Sequence, residues 1–277
     1  MHKIHHQGER YSVEGPHLPS PSPQRTPLLF QAGSSESGRR FAARNAEAVF
    51  IIAPNPEVAK WQIEETRALA VENGRESDDI KFFQGLTFVI GDTELEAKEK
   101  AEEYSRWSSD EGFLAHAAIV DKTGRTYPPE TELRDVDTNT MKGFSELLRR
   151  SITDREPTVA DVAGRMTRNN LVVGTPEQIA DEIEKWQAAG VDGINVVNAV
   201  LPGSFEEFAD KVLPVLRDRG LAQTEYAPGT LREKLFGTAR LNDRHPAARY
   251  RGAFAADRTD GSGTTGPQSI SDTAVRV

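Results

Sequence analysis

Pro27-Leu-Leu-Phe-Gln-Ala-Gly-Ser-Ser-Glu-Ser-Gly38 decides how the rest of the chain is read. An apolar run reads as a short buried strand over 27–31, Gly33 as a tight turn, and the hydroxyl-rich segment after it as a helix start. That construction suits an anion. The first N–H groups of a helix have no intrahelical acceptor, and the helix dipole puts partial positive charge at the same end. A phosphate beside Ser34 and Ser35 would meet both N–H and hydroxyl donors. The plainer alternative is an ordinary strand-to-helix turn with a serine N-cap.

Working outward, residues 1–26 are polar and rich in proline, which excludes a regular helix and leaves an extended lead-in. Downstream of the turn, strands are expected over 48–52, 81–90 and 193–198. Helices are expected over 37–46, 56–73 and 94–108, and near 158–166. Thr175-Pro-Glu-Gln178 is a capping box with proline at the first helical position, so a further helix runs from there to Gly190. Ser204 opens the last long helix, which stops at Gly220. Residues 117–140 read as polar and irregular, and 237–277 as a flexible tail. Unbroken apolar strands alternating with helices are the pattern of an α/β fold with a parallel sheet. Four such units make half of an eight-stranded barrel of the TIM type.

Composition narrows the function. The 277 residues are 37% hydrophobic and 28% charged, enough for a soluble core. The net charge of −9 argues against a nucleic-acid partner. With no cysteine there is no disulfide framework and no thiolate chemistry. No apolar run approaches the roughly 20 residues that span a bilayer. The start, Met1-His-Lys-Ile-His-His6, lacks the apolar core of a signal peptide, and the expected location is cytoplasmic. His2, His5 and His6 have no carboxylate close by and no fixed geometry, so no metal site is expected.

Three blocks carry a resemblance. Gln31-Ala-Gly-Ser-Ser-Glu-Ser-Gly-Arg-Arg-Phe-Ala-Ala-Arg-Asn-Ala-Glu-Ala-Val-Phe50 resembles a signature of the flavin-dependent monooxygenases related to bacterial luciferase, in the branch of nitrilotriacetate monooxygenase component A and the long-chain alkane and dimethyl sulfide enzymes. Val173–Asp181 with Gly190–Asn195 is the second block. Leu213–Leu221 with Tyr226 and Thr230–Leu235 is the third. All fall in the second half of such enzymes, so the resemblance implies barrel strands five to eight with their helices over 27–236. An isolated half would leave two sheet edges and its barrel-facing side chains uncovered. Poor solubility, a homo-oligomer or a complementary N-terminal half is then expected.

The same resemblance implies an FMNH2-dependent, two-component monooxygenase that inserts one oxygen from O2 into a small organic substrate through a flavin peroxide. A separate NAD(P)H:flavin reductase would supply the reduced FMN. The FMN phosphate would lie at Ala32, Gly33, Ser34 and Ser35. Gln31 would either touch the flavin or satisfy local backbone. Arg39 or Arg40 could balance the phosphate, although a solvated helix face suits them better. His116, in Glu111-Gly-Phe-Leu-Ala-His116, resembles an active-site histidine; the other reading is a packed, hydrogen-bonded residue. Asn198 ends the last strand, at the site or in a turn. Ile119-Val-Asp-Lys-Thr-Gly-Arg-Thr-Tyr-Pro128 departs from the family pattern and leaves the substrate class open. The alternative function is a non-catalytic half-barrel that binds a phosphate ligand or pairs with a partner chain.

Overall fold

The computed structural model describes residues 3–15, 18–116, 119–121, 123–136, 142–168 and 170–252. The lead-in contains a small antiparallel pair, β1 (His6–Gln7) and β2 (Ser12–Val13). The body alternates strand and helix: β3 (Phe30–Ala32), α1 (Glu36–Asn45), β4 (Ala48–Ile51), α2 (Pro56–Glu72), β5 (Lys81–Ile90) and α3 (Glu94–Ser105). An excursion then carries α4 (Asp110–His116), α5 (Lys142–Ser151) and α6 (Val159–Arg168). The chain returns through β6 (Leu171–Gly174), α7 (Pro176–Ala188) and β7 (Gly193–Val197). One continuous helix follows, α8 (Gly203–Glu207) running through a wider turn at Phe208–Val212 into α9 (Leu213–Asp218). The widening accommodates Pro214, which has no N–H to give to the previous turn. α10 is Leu231–Phe236.

All pairings in the main sheet are parallel, in the order β3-β4-β5, with β7 on the far side of β5. The edges of β5 can be told apart from its hydrogen bonds. In a parallel strand the N–H and C=O of one residue face the same neighbour, and successive residues alternate. Lys81 N–H donates to the Glu47 carbonyl at 2.9 Å and Thr87 N–H to that of Asn170 at 2.6 Å, whereas the Phe82 carbonyl accepts from Asp192 N–H at 2.9 Å. Odd-numbered residues therefore face β4 and then β6, and even-numbered ones face β7. β6 extends the sheet past the end of β4, and β3, β4, β5 and β7 are the four barrel strands.

The two faces of the sheet differ. Val49, Ile51, Phe82, Gln84, Leu86 and Phe88 are buried. They pack against α1 through Ala42 and Ala43, α2 through Val58 and Ile63, and α7 through Ile179 and Ile183. Each fully buried large side chain here contributes about 1.5–3 kcal/mol. Gln84 crosses this layer with its amide satisfied, accepting from Ala53 N–H at 3.0 Å and donating to the Gly85 carbonyl at 3.0 Å. The opposite face, which a closed barrel would turn inward, is open: Phe30, Phe50, Ile52 and Val197 are all exposed. The first strand is thus shorter than expected and is not buried on both sides.

Helix starts follow their sequence signals. Ser35, Asn55, Thr93 and Thr175 each accept a first-turn N–H, and Thr175 with Gln178 completes the capping box. α4, α5 and β6 are additions to the sequence reading. Leu114, Leu148, Val159 and Val162 build a second, smaller cluster from α4, α5 and α6. α5 joins the two bodies, because Leu147 enters the main core while Leu148 enters the small one.

The C-terminal segment also differs from its expectation. Residues 241–250, placed in a flexible tail by sequence, are docked on the barrel: Leu241 and His245 are buried, and Arg244 pairs with Asp79 at 2.8 Å. Residues 253–277 lie outside the described ones, as does His2. No helix of the described residues is long and apolar enough to cross a membrane.

His245 makes this docking sensitive to pH. Its Nδ1 accepts from Ala247 N–H at 3.1 Å and its Nε2 lies 2.9 Å from the Asn45 carbonyl. An accepting Nδ1 and a donating Nε2 define the neutral ring. Burial, chiefly, holds its pKa below the ordinary value; Arg75 and Arg232 add to this, against the Asn45 hydrogen bond and Glu47. The unfolded chain therefore takes up the proton first, at about pH 6.5. The stabilisation is complete above that pH and is lost as pH falls through the folded-state value. Urea midpoints should drop between pH 7.5 and 5 by more in the wild type than in His245→Gln. Equal drops would mean that other groups carry the acid sensitivity.

Candidate functional site: a donor-rich loop at the strand ends

Ala32, Gly33, Ser34 and Ser35 lie where β3 runs into α1, at the C-terminal edge of the sheet. Strand ends on that edge carry the active sites of such barrels. Ala32 is in register with Phe50, and Phe50 with Phe83, so Ala32 lies on the open face. Gln31 is in register with Val49 on the helix side, and its Nε2 donates to the Ala32 carbonyl at 3.2 Å. This is the local backbone contact of its one reading; a contact with the flavin is the other.

Ser35 caps α1, its Oγ accepting from Gly38 N–H at 3.2 Å. The first bond of the regular helix runs from Arg39 N–H to the Ser35 carbonyl at 2.8 Å. Glu36 and Ser37 thus contribute N–H groups ahead of that bond, and the Ser34 hydroxyl has no hydrogen-bond partner among the described residues. A second wall comes from α5. A Cβ built on Gly143 would lie 2.5 Å from Ser35 N and 2.7 Å from Ser34 Oγ. The glycine lets α5 pack directly on the loop, where a side chain would collide with it. The N–H groups at the start of α1 and the Ser34 hydroxyl are a donor set that fits a phosphate monoester such as the FMN phosphate.

Arg39 departs from its expectation. It is 2% exposed, not on a solvated face. Its guanidinium donates to the Ser34 carbonyl and pairs with Glu65 at 2.8 Å and Glu146 at 3.0 Å. Trp61 lies between Arg39 and Arg150, at 4.9 and 3.3 Å from its ring centroid. Arg39 therefore ties α1, α2 and α5 together and holds the loop from behind, its charge already matched by two carboxylates. Arg40 is exposed and pairs with Glu36 at 2.9 Å, as a solvated face would have it. An anion at this loop would be held by dipoles and hydroxyls, the Arg39 charge being already paired.

His116 is the last residue of α4 and is exposed; Leu114 fixes that helix in the small cluster. No described contact joins His116 to Ser34 or Ser35. Asn198 follows β7 and is half-buried. Thr230–Leu235 docks on the opposite end of the barrel, where Arg232 meets Glu47. The sequence reading missed Gly143 and Glu146. The available signal was Phe144, Leu147 and Leu148, spaced as one face of a short helix.

Four parallel barrel strands, with a donor-rich loop at the C-terminal end of the first, define half of a (β/α) barrel. The chain belongs to the luciferase-like monooxygenase family, whose description matches residues 1–193. It is 40% identical over 274 residues to the dimethyl-sulfide monooxygenase of Hyphomicrobium sulfonivorans, covering 95% of this chain and 57% of that protein. It is 41% identical over 254 residues to the long-chain alkane monooxygenase of Geobacillus thermodenitrificans (strain NG80-2), covering 91% and 54%. A crystal structure of long-chain alkane monooxygenase superposes with a TM-score of 0.74 at 39% identity, over 90% of this chain and 55% of that one. Nitrilotriacetate monooxygenase component A of Aminobacter aminovorans is 32% identical over 262 residues, covering 87% and 54%. The chain spans about half the length of the relatives it matches.

Proposed function

We propose that this chain is the C-terminal half of an FMNH2-dependent, two-component monooxygenase acting on a small organic substrate. Bound FMNH2 would supply the reaction with dioxygen. The chain's own residues bind and orient the cofactor and exclude water from it. Gly33, Ser34 and Ser35 hold the phosphate, and Ala32 lets the ring approach the open sheet face. His116, exposed on α4, is the candidate to donate a hydrogen bond to the substrate or the oxygen. A separate NAD(P)H:flavin reductase is the expected source of reduced cofactor. The observation that carries this reading is the loop between β3 and α1 at the C-terminal end of the strands, where the Ser34 hydroxyl has no partner among the described residues.

FMN titration tests it. Ser34→Ala together with Ser35→Ala removes two charge-assisted hydrogen bonds, an expected cost of about 3 kcal/mol or roughly 100-fold in Kd. Ser34→Ala is the cleaner single change, because Ser35 also caps α1. An unchanged FMN affinity would put the phosphate elsewhere.

The uncovered inner face supports a second reading, a half-barrel that binds a phosphate ligand or a partner chain without catalysis. Oxygen-dependent turnover by this chain with a flavin reductase present would exclude it.

A further inference from the structure

We infer that Gly85, midway along β5 on the open face of the sheet, is a binding determinant for the flavin ring: its missing side chain leaves the strand backbone bare for a flat heterocycle to lie on, between Ile52 and Asn195. The inference rests on the proposed flavin reading and concerns the ring, not the phosphate.

Three observations carry it. The first is that the chain's own packing does not call for a glycine here. A glycine inside a strand marks a bulge, a bend or a close approach by a ligand or another backbone. The register with β7 runs unbroken through Phe83–Gly193, Gln84–Ile194 and Gly85–Asn195, which excludes a bulge. Gly85 is not among the glycines with positive φ. A Cβ built on it would meet Val197 Cγ2 at 3.8 Å, an ordinary contact, and nothing closer beyond its chain neighbours. Gly193 on the next strand is different: a Cβ there would lie 2.7 Å from two carbons of the Phe83 ring, so packing explains that glycine. The second observation is its place. Gln84 and Leu86 point into the helix layer, so Gly85 between them turns to the open side. Gln84 is in register with Ile51, the last residue of β4, which puts Gly85 one step past the end of that strand. This is the edge of the sheet where such barrels carry their sites. The third is the chemistry of the neighbours. Ile52 and Val197 are exposed apolar side chains. Asn195 is exposed, and its amide has no hydrogen-bond partner among the described residues. A flavin ring has two apolar faces and one polar edge with an N–H between two carbonyls. Apolar neighbours suit the faces, and a free amide, with a donor and an acceptor, suits the edge.

Riboflavin is the probe, because it has the ring without the phosphate and reads this position independently of Ser34 and Ser35. Its fluorescence is followed as dilute full chain is added, and thermal unfolding is recorded for each variant. Gly85→Val is expected to weaken riboflavin by about tenfold or more. Its Tm should stay level or rise, because valine suits a strand interior better than glycine. Gly85→Ala should fall between wild type and Gly85→Val in affinity. A glycine that the fold itself needs would give the opposite pattern, with Tm and affinity falling together, and that result would overturn the inference. Equal riboflavin affinity in wild type and Gly85→Val would overturn it as well, while leaving the flavin reading intact. Asn195→Leu keeps the size of the side chain and removes the amide. It is expected to weaken riboflavin with Tm unchanged, and an unchanged affinity would overturn the placement beside Asn195. A wild-type chain that binds FMN but not riboflavin would overturn the seat of the ring alone. One that binds neither would overturn the flavin reading, and this inference with it.

Discussion

Arg232→Ala is expected to destabilise the protein by about 3–5 kcal/mol, the usual effect of stripping one partner from a buried ion pair. Arg232 is 1% exposed, yet it belongs to a helix of only six residues that contributes little else to the core. Its Nε and Nη2 meet the two oxygens of Glu47 at 2.7 and 2.8 Å, a bidentate pair. Nη2 also donates to the Pro27 carbonyl at 3.0 Å, and Glu47 accepts from Leu29 N–H at 3.1 Å. One guanidinium thus joins the lead-in, the entrance of β4 and the C-terminal segment at the N-terminal end of the barrel strands. In the alanine variant Glu47 stays buried with a single N–H donor. In a chain of this size the loss corresponds to a fall of roughly 10 °C in Tm. Urea unfolding checks it. Replacing Glu47 and Arg232 together by leucine should cost less than either single change, since the penalty lies in the stranded charge. A single-variant loss below 1 kcal/mol would mean that water reaches Glu47.

That pair marks the boundary of what the sequence makes legible. β5 falls on its expected residues, and the capping box at Thr175 marks its helix, because both signals are local. The Thr230–Leu235 block was legible as part of a resemblance but not as a docking contact, since Glu47 and Arg232 are 185 residues apart. Arg39 was read as solvated for the same reason. Its partners Glu65 and Glu146 come from other helices, and nothing near Arg39 announces them. β6 escaped because it pairs only with the last turn of β5 and reads as the lead-in to a capping box. α5 escaped because its apolar residues are few and serve two clusters at once. The β3–α1 loop was legible as a strand-to-helix turn, and its contact with α5 was not.

The open face of the sheet gives the second large effect: the chain on its own is expected to self-associate rather than remain a monodisperse monomer. Phe30, Phe50 and Phe83 form one aromatic group, with ring centroids 4.9 Å apart for Phe30–Phe50, 5.7 Å for Phe30–Phe83 and 6.1 Å for Phe50–Phe83. Phe30 and Phe50 are 41% and 39% exposed, and Ile52 and Val197 extend the same surface to 48% and 40%. Covering the exposed part of one such phenylalanine is worth about 2 kcal/mol, so a contact over this face gains several. The outer edges of β3 and β7, which pair with no further strand among the described residues, add open backbone groups on either side. A surface that is apolar in the middle and hydrogen-bond hungry at both rims favours covering by more sheet. Relatives of about twice this length match the chain over only half of themselves, which is the proportion a covering half-barrel would supply. Sedimentation velocity over a concentration series should show association that Phe50→Lys weakens at least tenfold. The lysine places a charge at the centre of the aromatic group while leaving the buried face intact. Its Tm should therefore fall far less than that of Arg232→Ala. A wild-type chain that sediments as one monomeric species at high concentration, without binding an apolar dye, would mean that the face is stable against water. The barrel would then not need its other half to fold.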